Sequence, residues 1–421
     1  MSEIKEKIRQ YLISGDYLSD KKDRHTVDKE KLKKDICKGI DHVISFDRVA
    51  LTTEEKEEIV CELMDEMLGF GPLSSLLNDG SVSEIMVNGP DTVYMEKNGT
   101  MLLTDIKFDN SRHLMQIIER ILAPTQRRVD ESSPYVDASL ADGSRVNIIL
   151  PPLSLLGPVV TIRKFSREIA VIEDLLKRGT LTDKMASFLI AAIKAKLNII
   201  FAGATGVGKT TTLNVLSSYI AENERIITIE DTAELRLKQR HVVPLETRQA
   251  NVEGKGEIPI RELFKNSLRM RPDRIILGEI RGAEALDMLQ AISSGHDGAL
   301  VVLHASSPRD VISRIETMII TSNTSIPLWA IRRQIASAID LIVVQEQLSD
   351  GKRKITHITE VGGMDGEDVV LKDLFSFEIK GVSEEHNSVV GQWRIGGVVP
   401  SFYPTFRLLG IALPEDIFTA E

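Results

Sequence analysis

Apolar positions change their period along the chain, and each period predicts a different architecture. Up to about residue 75, Ile59, Val60, Leu63, Met64, Met67 and Leu68 recur at helical spacing. Thr52 and Glu55 form a capping box at the start of that run. From residue 76 to about 168 the pattern becomes short strands and turns. Residues 84–88 and 92–95 read as strands, and Asn98-Gly99 as a hairpin turn into residues 101–103. Asp142-Gly143 marks a second hairpin, a helix over 113–122 lies between the two, and 159–164 reads as a final strand. These elements predict a small α+β domain, joined through residues 166–180 to the rest of the chain. Thereafter the runs 199–202, 226–229, 275–277 and 300–303 are short and almost continuously apolar, with helical patterns between several of them. Residues 169–421 are therefore expected to be an α/β domain with a mostly parallel sheet covered on both faces. A less regular, strand-rich section begins near Leu341 and ends in a short helix-like tail.

Composition narrows the class. The chain has 421 residues, 42% of them hydrophobic and 27% charged, as expected for a globular protein of two or three domains. Lys194 and Lys196 interrupt one apolar stretch and Pro151, Pro152 and Pro158 another, so none reaches the roughly 18 residues of a membrane span. The start of the chain lacks the apolar core of a signal peptide, and a cytoplasmic location is expected. A net charge of −10 provides no general attraction for nucleic acid. Cys37 and Cys61 have neither metal-ligand nor redox spacing and are expected as buried structural thiols. The lysines between Lys21 and Lys38 are interspersed with Asp23, Asp28, Glu30 and Asp35. That mixture fits a solvated helix or linker, with contact to an acidic partner or membrane surface as the alternative.

The strongest chemical signal comes directly after the run at 199–202. Gly203, Ala204, Thr205, Gly206, Val207, Gly208, Lys209, Thr210 and Thr211 fit the phosphate-loop pattern, with a helical stretch behind them. Backbone N–H groups of such a loop close around the β-phosphate, Lys209 places its charge over the β and γ oxygens, and the Thr210 hydroxyl ligates Mg²⁺. ATP and Mg²⁺ are the implied cofactors. Hydrolysis also requires a carboxylate to orient water and charge to stabilise the departing phosphate. The strand at 226–229 runs into Glu230 and Asp231, with Glu234 beyond; Glu230 is the candidate base, while Asp231 is also suited to capping a helix. A second acidic strand end, Gly278-Glu279, resembles a Walker B segment, and Glu279 is expected to contact Mg²⁺ through water or to place the nucleophile. His296 and His304 flank the next strand and are candidates for sensing the γ-phosphate.

Together these segments resemble the secretion ATPase superfamily of type II secretion, type IV secretion and type IV pili, and most closely its Tad/Flp pilus assembly branch, the CpaF/TadA-type ATPases. The resemblance runs from about Leu63 through residues 83–90, 142–147 and 161–165, the phosphate loop, 228–232, 253–257, 268–274, 278–290 and 295–298. The tail from Trp393 to Phe402, with the apolar residues after Leu408, favours the Tad/Flp branch. The resemblance implies a RecA-like ATPase domain after a PAS-like domain, which follow the helical region that the periodicity predicts for residues 1–75. The resemblance further implies a homohexameric ring that acts on an inner-membrane platform protein, while the acidic balance argues for no nucleic-acid partner. Arg145 and Arg163 match positions that reach the phosphates, and Arg271 and Arg281 are further candidates for stabilising charge. Three departures stand out. Ser139 replaces an arginine common in the family, Ser293-Ser294 stands where Asn-Thr is usual, and Ser306 where Asn is usual.

Overall fold

The computed structural model describes residues 7, 29–47, 51–97, 99–125, 127–140, 142–164, 169, 171–248, 250, 255–322, 325–383, 388–414 and 416–419. Asn98 of the first expected hairpin, the lysine-rich stretch before residue 29, Phe165 with residues 166–168 of the expected connection, and Glu253 with Gly254 lie outside them. The chain divides into two compact units, residues 1–165 and 166–421.

In the first unit, the helices Lys29–Asp47 and Thr53–Leu68 share a small core of Ile36, Ile40, Val43, Ile59, Val60 and Leu63. The capping box is formed in both directions: Thr52 N–H donates to Glu55 Oε2 at 2.7 Å, and Glu55 N–H donates to Thr52 Oγ1 at 3.2 Å. Cys37 corrects an expectation, being exposed rather than buried. With Ile36, Ile40 and Val43 facing inward, residue 37 lies on the outer side of its helix.

Six strands come next: β1 (Val82–Asn88), β2 (Val93–Lys97), β3 (Thr100–Leu103), β4 (Tyr135–Ser139), β5 (Arg145–Ile149) and β6 (Val159–Arg163). They form an antiparallel sheet in the order β3-β2-β1-β6-β5-β4. Alternate residues Ile85, Val87, Val146, Ile148, Val160 and Ile162 share a core with Leu114, Ile117, Ile118 and Ile121 of the helix Ser111–Leu122. That helix begins where Asn110 Oδ1 accepts the His113 N–H at 3.0 Å.

The second unit is built on β7 (Ile199–Ala202), β8 (Ile226–Glu230), β9 (Val242–Glu246), β10 (Arg274–Leu277), β11 (Leu300–Leu303) and β12 (Leu341–Gln347). These are mutually parallel in the order β12-β7-β11-β10-β8-β9. Ile199, Phe201, Leu300, Val302, Leu341 and Val343 pack on one face with the helices Asp183–Lys194 and Lys209–Ser217. Their alternates Ile200, Ala202, Val301, Leu303, Ile342 and Val344 pack on the other with Ile260–Ser267, Glu284–Ser293, Pro308–Thr321 and Leu328–Ala338. Burial on both faces explains the nearly unbroken apolar runs, each large side chain contributing about 1.5–3 kcal/mol.

Beyond β12 the sheet continues antiparallel through β13 (Arg353–Asp365), β14 (Asp368–Ser383) and β15 (Ser388–Ile395). The tail then folds back. Phe402, Phe406 and Phe418 surround Phe188, and Ser401 donates its N–H and hydroxyl to buried Glu360 at 2.7 and 2.5 Å. At the amino-terminal ends of the strands, Asn198 Oδ1 accepts from the N–H groups of Gly298 and Ala299, while its own N–H and amide donate to Asp340. Burial pushes the Asp340 carboxyl up, against those two hydrogen bonds. Among the described residues no helix is long and apolar enough to cross a membrane.

Candidate active site

Because β7, β8, β10 and β11 are parallel, their carboxyl ends share one edge of the sheet, where ligands of open α/β folds bind. Ala202 pairs with Leu303, Leu277 with Val301, and Ile229 with Leu277. The residues just past these pairs are Gly203 on β7, His304 on β11, Gly278 and Glu279 on β10, and Glu230 on β8. Strand order sets them side by side in that sequence, with neighbouring strands about 4.8 Å apart.

The phosphate loop leaves β7 at Gly203 and enters the helix Lys209–Ser217. Gly208 has φ +98°, a conformation that disfavours any side chain. A Cβ on Gly203 would overlap the carbonyl oxygen of Gln345 and come within 2.8 Å of the Val207 side chain. Ala204 and Thr205 are exposed, while Gly206, Thr210 and Thr211 are half-buried. Lys209 is only 6% exposed. Its ammonium donates to the carbonyls of Gly203 at 2.9 Å and Ala204 at 2.7 Å, and lies 3.5 Å from His304 Nδ1. The lysine charge is thus held over the mouth of the loop.

His304 connects this lysine to Glu279. Its Nε2 lies 3.2 Å from Glu279 Oε2, and Arg281 pairs with Glu279 Oε1. Since an ammonium only donates, Nδ1 is assigned as the acceptor and Nε2–H as the donor to the carboxylate. Burial, followed by the charges of Lys209, Arg281 and Arg314, pushes the His304 pKa down, favouring this neutral form. The turn after Glu279 is fixed by buried Glu284, whose Oε1 accepts the N–H groups of Arg281 at 2.6 Å and Gly282 at 2.8 Å.

Glu230, 3% exposed, has Oε2 on the N–H groups of Glu234 at 2.9 Å and Leu235 at 3.1 Å. Its side chain leans over Gly278: a Cβ there would stand 2.6 Å from Glu230 Cγ. Glycine at 278 is therefore required for the two acidic strand tips to lie together. Asp231 accepts the Thr247 hydroxyl at 3.3 Å, and Glu234 contributes its backbone to the Glu230 carboxylate.

Not every candidate converges. His296 precedes β11, a strand of 4 residues, and so lies at the amino-terminal edge, with Nδ1 against the Ala291 carbonyl at 3.3 Å and Ser294 Oγ at 3.5 Å. Only His304 reaches the phosphate loop of the same chain. Arg271, at φ +55°, precedes β10 and belongs to the same amino-terminal edge as His296.

In the first unit, pairing across the sheet sets Ser139 opposite Arg145, Arg145 opposite Arg163, and Arg163 opposite Glu84. Arg163 Nε lies 3.5 Å from Glu84 Oε1. Two arginines directly opposed across strands are unfavourable for the sheet alone. The departure at Ser139 leaves this row with two arginines instead of three.

Two residues of the second unit escaped the motif reading. Glu284 opens the helix Glu284–Ser293, and its hold on the preceding turn has no distinct mark in the sequence. Gln345 ends the apolar run Leu341, Ile342, Val343, Val344, where a buried polar residue is itself the signal. Among the described residues no group of three or more His, Cys, Asp or Glu is placed to hold a metal by itself. A Mg²⁺ carried by phosphates needs only one or two protein oxygens, and the Thr210 hydroxyl and Glu279 carboxylate are hard donors suited to it.

Comparison with known proteins adds the family. The family described as "Type II/IV secretion system protein" matches residues 66–391. A putative conjugal transfer protein of Mycobacterium tuberculosis is 31% identical over 310 residues, 72% of this chain and 88% of that protein. The type IV secretion system protein VirB11 of Bartonella quintana is 31% identical over 326 residues, 68% of this chain and 90% of VirB11. Among solved structures, the Legionella pneumophila ATPase DotB is 22% identical across 70% of this chain and 80% of its own, with a TM-score of 0.49.

Proposed function

The chain belongs to the type II/IV secretion system ATPase family, and from that premise we propose that it hydrolyses ATP with Mg²⁺ as the motor of a Tad-type pilus. In this reading residues 169–421 are a RecA-like domain, 76–168 a PAS-like domain and 1–75 a helical region. The protein works as a homohexamer on the cytoplasmic face of the inner membrane, held there by a platform protein. It drives filament assembly, with retraction open to the same motor.

The observation that supports ATP hydrolysis at this site is the contact from Lys209 through His304 to Glu279, with Glu230 on the adjoining strand tip. On binding, the loop N–H groups take the β-phosphate, and Lys209 exchanges its carbonyl contacts for phosphate oxygens. When bound, Mg²⁺ supplies charge to the phosphate oxygens, held by Thr210 and, through water, by Glu279. Water attacks the γ-phosphorus, the bond to the β-γ bridging oxygen breaks, and the water proton passes to Glu230. The N–H groups of residues 234 and 235 hold the Glu230 carboxylate and fix its orientation. His304 senses the γ-phosphate through its bonds to Lys209 and Glu279. Arg145 and Arg163 are further sources of positive charge in this reading.

The conjugal transfer and VirB11 relatives favour a second reading, a transport ATPase of conjugation or secretion. Pull-down with Glu230→Gln, arrested with nucleotide, separates the two. Recovery of a Tad-type platform protein supports the pilus motor, and recovery of a secretion-channel component supports the alternative. Phosphate release by the wild type tests against a non-hydrolysing scaffold. DNA-stimulated, salt-sensitive turnover would favour a nucleic-acid motor instead.

A further inference from the structure

We infer that Gln345 is a positioning residue for the phosphate loop: its side-chain amide joins Val207 within the loop to Thr212 in the helix behind it, and so sets how tightly the loop closes on phosphates. The inference deepens the proposed function and rests on its reading that this loop binds nucleotide.

Pairing of Val344 with Ala202 puts Gln345 beside Gly203, where its own carbonyl occupies the space a Cβ would need. A loop whose N–H groups turn inward to phosphate turns carbonyls outward, and these must be satisfied by the protein. Gln345 Nε2 donates to the Val207 carbonyl at 2.8 Å. At its other end, Oε1 accepts the hydroxyl of fully buried Thr212 at 2.7 Å. The amide has one workable orientation, because a carbonyl cannot donate. A Cβ on Gly208 would stand 3.0 Å from the same Nε2, so the amide runs against the loop at that point too.

Residue 345 continues the alternation of Leu341 and Val343, which share an apolar cluster with Leu213, Val215 and Leu216 of the helix Lys209–Ser217. The pattern calls for an apolar side chain there. An amide in its place is 4% exposed and is tolerated because both of its ends are paired. The ladder to β13 slips beside it with the extra residue, Thr356, on β13, so Gln345 keeps the phase of its own strand.

The test measures the Kd for a fluorescent ADP analogue and steady-state ATPase kinetics on full-length wild type, Gln345→Leu, Gln345→Met and Thr212→Val. Both Gln345 variants are expected to raise Kd and the KM for ATP by about tenfold or more, with kcat at saturation falling less than about threefold. In the Gln345→Leu background, Thr212→Val should add little, because the clamp acts as one unit. A Gln345→Met protein that binds within about twofold of wild type would show that residue 345 only fills space, and would overturn the inference. Should the Gln345 variants fail to fold, Thr212→Val decides alone: weakened binding supports the clamp and unchanged Kd overturns it. A wild type that binds no nucleotide would instead remove the reading beneath, leaving the two failures distinct.

Discussion

Gly278→Ala probes the acidic tips without altering either carboxylate. The added methyl would lie 2.6 Å from Glu230 Cγ, 3.2 Å from its Cβ and 3.3 Å from Oε2. Carbon atoms pack at about 3.5–4.0 Å, so the Glu230 side chain must move by about 1 Å. The crowded atoms lie at the root of the side chain, so rotating its end gives no relief. The carboxylate is also tied to the N–H groups of Glu234 and Leu235, which oppose the shift. Overpacking of this kind costs about 1–3 kcal/mol of stability. A displacement of about 1 Å in a group that aims the nucleophile costs about a hundredfold in rate. The assays are a thermal melt, nucleotide Kd and phosphate release. The melt should fall, Kd should stay within about threefold, because the substitution leaves the phosphate loop and Lys209 unaltered, and kcat should drop about a hundredfold. A folded Gly278→Ala enzyme turning over within about threefold of wild type would refute the placement of Glu230 and transfer the base to Glu279.

Lys209→Ala should abolish turnover and weaken nucleotide binding, measured by phosphate release and Kd. His304 imposes a pH dependence. Its folded pKa lies below the ordinary 6.5, so as pH falls the unfolded chain takes up a proton first. Stability present above about pH 6.5 is lost as pH falls through the folded pKa, and His304→Asn should flatten that acid limb in melts across pH. Arg145→Ala should leave the melt within a few degrees of wild type while turnover falls, measured by thermal melt and phosphate release. A parallel loss of both would mark Arg145 as structural.

The parallel core and the phosphate loop were legible because strands buried on both faces leave apolar runs, and because Gly-rich phosphate loops allow few sequences. The edge strand β9 escaped that pattern: it is incompletely buried and contains Pro244. β12 joins the parallel core although its run reads as the start of the irregular C-terminal section, since nothing local shows that one of its two neighbours is the parallel strand β7. The two histidines illustrate the same limit. Flanking one strand looks like convergence in sequence, yet a parallel strand sends its two ends to opposite edges of the sheet. Cys37 is apolar enough to belong inside, but the phase of Ile36 and Ile40 turns it outward. Gln345 was hidden for a further reason: its partners Val207 and Thr212 are more than a hundred positions away in sequence.

Paired measurement of ATP binding and phosphate release on Glu230→Gln, beside wild type and Lys209→Ala, tests the central claim most directly. Glu230→Gln should bind ATP as the wild type does and release no phosphate above background, while Lys209→Ala loses both. Phosphate release from Glu230→Gln near the wild-type rate would contradict the account.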